Sequence, residues 1–397
     1  MKILWVKTDF LHPTTRGGQI RTLEILRRLH TRHEIHYVAF DNPAFPGGLE
    51  RASEYSTRAY PLSHEVPARG SIKFAGQMMA NLFSGLPLPV SRYRSEAMRH
   101  KIDELLALRN FDAAVCDFIF PAPNFADLTR CVLFQHNVEA VIWQRMAEQA
   151  GALRRAYFGL QLRRMLACEG KACREAGHVI AVSEIDAARM RELFGVTRIS
   201  VIPTGVDLDY FAPPAAVEPG QDLVFVGSMD WMPNIDGVNY FLDEIFPRIT
   251  ARRPATTLAI VGRTPGADLR ARVVGDKRIT ITGTVPDVRP WLWGARLSVV
   301  PLRIGGGTRL KIYEAMGARL PVISTSVGAE GLAVDPPENI RLADDPEAFA
   351  RECTNLLGDE AERSRMAHAA YAMVSQRFSW EHVAREFERI LETGPRP

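Results

Sequence analysis

Cysteine is scarce and unorganised in this chain. Five residues in 397, Cys116, Cys131, Cys168, Cys173 and Cys353, form no CxxC pair and no Cys/His cluster at metal-ligand spacing. An odd, scattered, mostly apolar-flanked set reads as reduced thiols and points to a cytosolic setting. Long apolar runs are lacking too. No stretch approaches the about 20 uncharged apolar residues that a membrane-spanning helix needs. The opening MKILWVKTDFLHP holds an apolar run too short for a secretory leader, and Lys7 and Asp9 interrupt it. A dominant charge is also missing: 49 basic against 46 acidic side chains leave +3, too small an excess to imply nucleic acid or an anionic membrane. Lysine is the rarer cation, seven against 42 arginines, so a lysine inside a motif stands out.

What is present is the patterning of an ordinary globular protein, 46% hydrophobic and 24% charged. The length exceeds a typical single core and predicts two domains of about 150–200 residues. KILWVKT reads as a buried strand, Gly17-Gly18 as a turn, IRTLEILRRLH as a helix and EIHYVAF as the next strand. That is the βαβ grammar of a parallel sheet. It continues with AAVCDFIF, VLFQH and HVIAVS. The stretch 207–222, DLDYFAPPAAVEPGQD, is rich in Pro, Ala and acidic residues and reads as a linker. Beyond it LVFVGS, TLAIVG, ITITG, LSVVPL, PVIST and NIRL repeat the pattern. The expected fold class is therefore α/β, two Rossmann-like domains facing across a cleft: 1–206, then 223–375, with a final helix in 376–397.

Ligands of open parallel sheets bind off the carboxyl ends of the strands, where helix N-termini suit phosphate. Two glycine turns fit that position. For Gly17-Gly18 before the first helix, a tight turn without a ligand is the commoner explanation. In IGGGTRLKIYEAMG, a strand, a glycine turn and a helix follow one another, and Lys311 and Glu314 stand three apart on one helix side. Arg309 can fork onto phosphate oxygens and Lys311 adds a point charge. A carboxylate beside two cations suits ribose hydroxyls. The Walker pattern GxxxxGK[ST] is absent, so ATP hydrolysis is not expected. A solvated helix end with a Lys–Glu pair is the plainer alternative.

Taken in order, the GG turn, VSEIDAARM, VIPTGVDLDYF, LVFVGSMDWMPN, ITGTVPDVRPWL and GTRLKIYEAMGARLPVIST resemble the retaining family-4 glycosyltransferases of the GT-B fold. The likeness covers nearly the whole chain. It implies an acceptor domain in 1–206, a nucleotide-sugar domain in 223–375 and a last helix that crosses back to the first domain. It further implies that Glu314 binds the donor ribose, that Thr284 and Val285 line the nucleobase, that Gly227 and Ser228 face the pyrophosphate, and that Gly18 closes over the donor phosphates, with Gly17 beside it in the donor-binding set. Gly306, Gly307, Thr308, Arg309 and Lys311 complete the donor set.

Two departures stand out. Gly306 occupies the place of the family's usual first glutamate, and Ser228 and Asn234 stand where many members carry an arginine and a lysine. Arg309 and Lys311 are expected to supply the displaced charge. In the first half, Asp117 stands where members often carry a histidine, and QHNVEA offers His136 as a contact to the donor sugar or acceptor and Glu139 as an orienting group or base. An ordinary strand-end histidine and a dipole-stabilised carboxylate are the alternatives. The segment 145–174 carries seven basic and two acidic residues. Its arginines spread around a helix, so a solvated helix or intramolecular pairing is expected, with weak peripheral membrane association as the alternative.

The resemblance implies sugar transfer from a nucleoside diphosphate sugar to a glycan or lipid-linked hydroxyl acceptor with retention, no metal and no resident cofactor, while charge and cysteine usage point to no nucleic-acid partner and a cytoplasmic location. A non-catalytic nucleotide-sugar-binding subunit and a nucleotide-sugar epimerase are the competing readings.

Overall fold

The computed structural model describes residues 1–14, 17–42, 47–68, 70–304 and 310–397. It divides into two units, Met1–Pro203 with Glu381–Pro397, and Thr204–Trp380.

Unit 1 is built on seven parallel strands: β1 (Lys2–Val6), β2 (Glu34–Asp41), β3 (Arg58–Ser63), β4 (Ala113–Asp117), β5 (Val132–Phe134), β6 (His178–Ala181) and β7 (Ile199–Val201), in spatial order β3-β2-β1-β4-β5-β6-β7. The central strands are buried on both faces, which is why AAVCD and VLF read as unbroken apolar runs rather than alternating ones. The helices that matter below are α1 (Gly17–His30), α2 (Ile72–Leu82), α3 (Glu139–Gln149), α4 (Ala152–Glu175) and α5 (Glu184–Phe194). Ser183 caps α5 by accepting from the Asp186 amide at 3.1 Å, and Gly195 ends it with a left-handed φ of 68°. The chain runs outward from β1 to β2 and β3, then returns to place β4 on the other side of β1. The crevice of this sheet therefore opens at the carboxyl ends of β1 and β4.

Unit 2 carries six parallel strands, β8 (Leu223–Val226), β9 (Leu258–Val261), β10 (Ile279–Gly283), β11 (Leu297–Val300), β12 (Val322–Ser324) and β13 (Arg341–Leu342), ordered β10-β9-β8-β11-β12-β13. Its switch point lies between β8 and β11. The helices α6 (Met232–Tyr240) and α7 (Leu310–Gly317) start near it.

The stretch 207–222, expected as a linker, is in part a packed piece of this unit. Asp207 caps a short helix, Leu208–Phe211, by accepting from the Tyr210 amide at 2.9 Å. Phe211 is buried in the unit 2 core, and its carbonyl accepts from Trp293 Nε1 at 2.8 Å. Phe211 in the core and Leu208 packed against it, hidden among acidic neighbours, dock the segment.

The last helix, α8 (Trp380–Thr393), belongs to unit 1 from Glu381 onward. Val383, Ala384, Phe387 and Leu391 form its buried stripe. Phe387 packs on Trp5 and Phe134 with ring centroids 5.3 and 5.1 Å away, and Glu388 accepts from Arg32 at 2.7 Å and pairs with His33 at 2.6 Å.

Candidate functional site

The unit 1 crevice is filled by a charged network. Asp117 closes β4, is fully buried, and accepts four bonds: from Trp5 Nε1 at 2.8 Å, Lys7 Nζ at 2.8 Å, Thr22 Oγ1 at 2.7 Å and His136 Nε2 at 2.6 Å. Burial opposes ionisation of this carboxyl. The Lys7 ammonium and the bonds from His136 outweigh burial and hold it well below the usual carboxylate range. Asp117, expected as an acceptor-side contact, has both carboxylate oxygens bonded inside the protein, one of them to His136. The following residue, Phe118, takes a left-handed φ of 83°, and its ring meets the His136 ring at 5.3 Å. A bulky residue in that conformation is an outlier of the kind found at sites the surrounding fold over-determines.

His136 Nδ1 lies 3.0 Å from Arg21 Nη1. A guanidinium only donates, so Nδ1 accepts and the imidazole proton sits on Nε2, facing Asp117. The ring is therefore neutral. Burial is the main reason its pKa falls to about 4, with Lys7 and Arg21 adding to it against Asp117. Arg21 is 4% exposed, and burial lowers it only to about 10, so it stays charged. Gly18 sits over the ring, with space for a Cβ only 3.6 Å from His136, and its carbonyl accepts from Thr22 Oγ1 at 2.9 Å. Gly17 is exposed at the start of α1.

Glu139 opens α3. Burial pushes its carboxyl up to about 7, against a bond from Asn137. The amides of Glu139 and Ala140 donate at 3.0 and 2.8 Å to Glu169, a fully buried carboxyl from α4 that satisfies this helix end. Lys7, Arg21 and Thr22 were not found by sequence reading. The signal for Lys7 was its rarity: one of seven lysines, standing directly after a buried strand.

In unit 2 two glycine turns touch. A Cβ on Gly262, after β9, would fall 1.8 Å from the Gly227 carbonyl oxygen, after β8. Only glycine permits that approach. Over the Gly227 turn lies the Lys311 ammonium, 2.7 Å from where a Gly227 Cβ would stand and 4.4 Å from the Phe225 ring centre. Lys311 donates to Asn234 Oδ1 at 2.8 Å, and Asn234 Nδ2 donates to the Ser228 carbonyl at 2.8 Å. The Ser228 hydroxyl accepts from Arg263 Nε at 2.8 Å and donates to Asp230.

Glu314, one helical turn beyond Lys311, is half-buried, and burial lifts its carboxyl to about 7 against the Lys311 charge. Among the described residues no hydrogen-bond donor is recorded for it. Thr284 is exposed after β10, following the left-handed Gly283, and Val285 packs on the unit 2 core. Gly306, Gly307, Thr308 and Arg309 lie outside the described residues. Among the described residues no three His, Cys, Asp or Glu side chains group as for a metal ion.

Two tandem parallel-sheet α/β units, each with its polar cluster at the switch point, define the GT-B class of protein. Residues 15–210 match the family described as Glycosyltransferase Family 4, and residues 220–359 match Glycosyl transferases group 1. The chain belongs to the GT-B glycosyltransferases.

It is 21% identical to an uncharacterized 44.6 kDa protein in the cps region of Klebsiella pneumoniae, over 96% of this chain and 97% of that one. It is 29% identical to the lipopolysaccharide core biosynthesis mannosyltransferase LpcC of Rhizobium leguminosarum, over 47% of this chain and 57% of the relative. Among solved structures, sucrose-phosphate synthase from Thermosynechococcus elongatus superposes with a TM-score of 0.74 at 17% identity, covering 99% and 98% of the two chains. Anabaena HepE, solved in complex with UDP, gives 0.69 at 16% identity, covering 99% and 100%.

Proposed function

We propose that this glycosyltransferase moves a sugar from a nucleoside diphosphate sugar to a hydroxyl of a glycan or lipid-linked intermediate, with retention at the anomeric carbon. One observation carries the reading. An ammonium lies over a glycine turn at the β8–β11 switch point, and one helical turn away stands a half-buried carboxyl that accepts no side-chain bond among the described residues. The ammonium suits diphosphate and the carboxyl suits a pair of ribose hydroxyls. The relatives agree in kind: LpcC is named a lipopolysaccharide core mannosyltransferase, and HepE was solved with UDP and with UDP-glucose.

As the anomeric C–O bond to the diphosphate breaks, its electron pair passes to the departing phosphate, while the acceptor oxygen bonds to the anomeric carbon on the same face and gives its proton to that phosphate. Lys311 stabilises the growing charge. The neutral His136 is proposed to line the sugar side of unit 1, held by Asp117 and Arg21.

The test is thermal shift against a panel of UDP and GDP sugars. A ligand that binds only the folded state raises the melting temperature, by about 2.7 kcal/mol of added stability at 100 times its Kd. A rise with one nucleotide class is expected. No rise with any donor overturns the reading. Donor binding without transfer to any acceptor favours a non-catalytic binding subunit, and acceptor-independent nucleotide release favours an epimerase.

Weak contact with an anionic lipid surface is part of the same proposal. On α2 and the residue after it, Ile72, Ala75, Gly76, Met79 and Phe83 are all exposed at helical spacing, Ile72 by 93% and Phe83 by 92%. The basic helix α4 packs beside them. Arg164 donates to the carbonyls of Asn81 and Leu82 at 2.8 Å each, and Arg154, Arg155 and Arg163 are exposed. Apolar side chains beside arginines suit a headgroup layer. Co-sedimentation is expected with phosphatidylcholine vesicles containing phosphatidylglycerol, weaker without it, and lost in the Ile72→Ser/Phe83→Ser variant. Binding unchanged by those substitutions refutes the surface.

A further inference from the structure

We propose that Arg263 is a donor-phosphate residue of this chain, forming with Lys311 a cationic pair supplied from outside the Gly227 turn. The inference rests on the donor reading above and extends it to a residue no motif indicated. Two neutral side chains follow Gly227, Ser228 in the turn and, six residues on, Asn234 in α6. Each has a cation hydrogen-bonded to it from another element. Arg263, directly after the Gly262 turn of β9, donates through Nε to the Ser228 hydroxyl at 2.8 Å, and Lys311 from α7 donates to Asn234 at 2.8 Å. Where the likeness to family 4 leads one to expect an arginine and a lysine in the turn, a serine and an asparagine hold an arginine and a lysine from elsewhere.

Several features make Arg263 able to meet a ligand. Its side chain is 39% exposed, and its Nε faces Asp230 at 3.2 Å. Among the described residues no partner is recorded for its two terminal nitrogens. Asp230, itself bonded to the Ser228 hydroxyl, fixes the guanidinium by its inner edge and leaves the outer fork for an anion. The Gly227–Gly262 contact keeps side chains off the backbone between the two cations. Phosphate oxygens match a planar fork and a point charge placed on either side of such a turn. The residue makes no bond to carbon and moves no proton. It would donate hydrogen bonds to the diphosphate as bound and as it departs.

Titration calorimetry with UDP and GDP, and competition by uridine and guanosine, test the assignment. Arg263→Gln is expected to weaken the diphosphate that the wild type binds by about tenfold or more, the size of one charge-assisted bond, and to leave the nucleoside within about threefold. Adding Ser228→Arg to Arg263→Gln returns the charge to the turn and is expected to recover most of the lost affinity.

Wild-type diphosphate affinity in Arg263→Gln overturns the proposal. So does an equal loss for nucleoside and diphosphate together with a lower melting temperature, which marks a structural residue. Failure of Ser228→Arg to recover affinity overturns the relocation. A wild type that binds no nucleoside diphosphate overturns the donor reading as well, so the two failures are separable.

Discussion

Asp117→Asn is expected to lower the stability of unit 1 by about 3–5 kcal/mol, the loss usual when one partner of a buried ion pair is removed. The ammonium of Lys7 is 7% exposed and the carboxylate 0%, at 2.8 Å. The substitution keeps the shape of the side chain but leaves the Lys7 ammonium without its buried anion. It also turns an amide NH2 toward a cluster of donors, Trp5, Thr22, Lys7 and His136. At most one carbonyl oxygen then serves four N–H and O–H groups, and each unsatisfied donor costs about 1–3 kcal/mol.

Urea unfolding followed by tryptophan fluorescence reads the effect, since Trp5 is bonded to this carboxylate. Lys7→Met in the Asp117→Asn background should recover part of the loss, because it removes the stranded charge, and the double-mutant cycle measures the coupling. A midpoint within about 0.5 kcal/mol of wild type would show the network to be dispensable. The pH dependence has a definite sign. The folded carboxyl lies below its unfolded value, so its contribution is present above the unfolded pKa and is lost as pH falls through the folded one.

The same network shows what the sequence could and could not reveal. Strands such as AAVCD and LAIV are legible because parallel strands covered on both faces must be apolar throughout. Two strands escaped notice, RAYPLS and ISV. Both sit at sheet edges, both are only partly buried, and Pro61 in the first is tolerated because an edge strand can leave one ladder position unfilled. The site divides along a similar line. Lys311 and Glu314 are legible as a pair because helix geometry alone puts residues three apart on one side. Lys7 and Asp117 are separated by 110 residues, and Arg263 and Ser228 by 35. Strand order brings each pair together, and no local spacing encodes strand order. The neutral residues Ser228 and Asn234 looked like losses in the sequence. In the fold each is the hydrogen-bond partner of a cation from a different strand or helix.

Lys311 carries the second large effect. Lys311→Gln is expected to reduce kcat by roughly 100- to 1000-fold, about 2.7–4 kcal/mol, the range for removing one preorganised group that stabilises charge developing in the transition state. Glutamine is chosen over alanine because its amide can still donate to Asn234 Oδ1, so the turn keeps the 2.8 Å bond that Lys311 now makes. The ammonium alone is then removed.

If the charge acts on the departing diphosphate, kcat falls with little change in donor KM and the melting temperature stays near the wild-type value. If Lys311 only braces the turn, Lys311→Gln keeps wild-type turnover and Lys311→Ala loses stability instead, because Asn234 Oδ1, on a side chain 3% exposed, is left without its donor. Lys311→Arg separates charge from shape: it keeps the cation but places a planar fork where the Gly227 turn and the Phe225 ring accommodate a compact ammonium. Partial recovery of kcat by arginine, with none by glutamine, assigns the effect to charge over the glycine turn. Equal rates for wild type and Lys311→Gln would remove Lys311 from the chemistry and, with it, the proposed diphosphate-and-ribose reading of the Lys311–Glu314 pair.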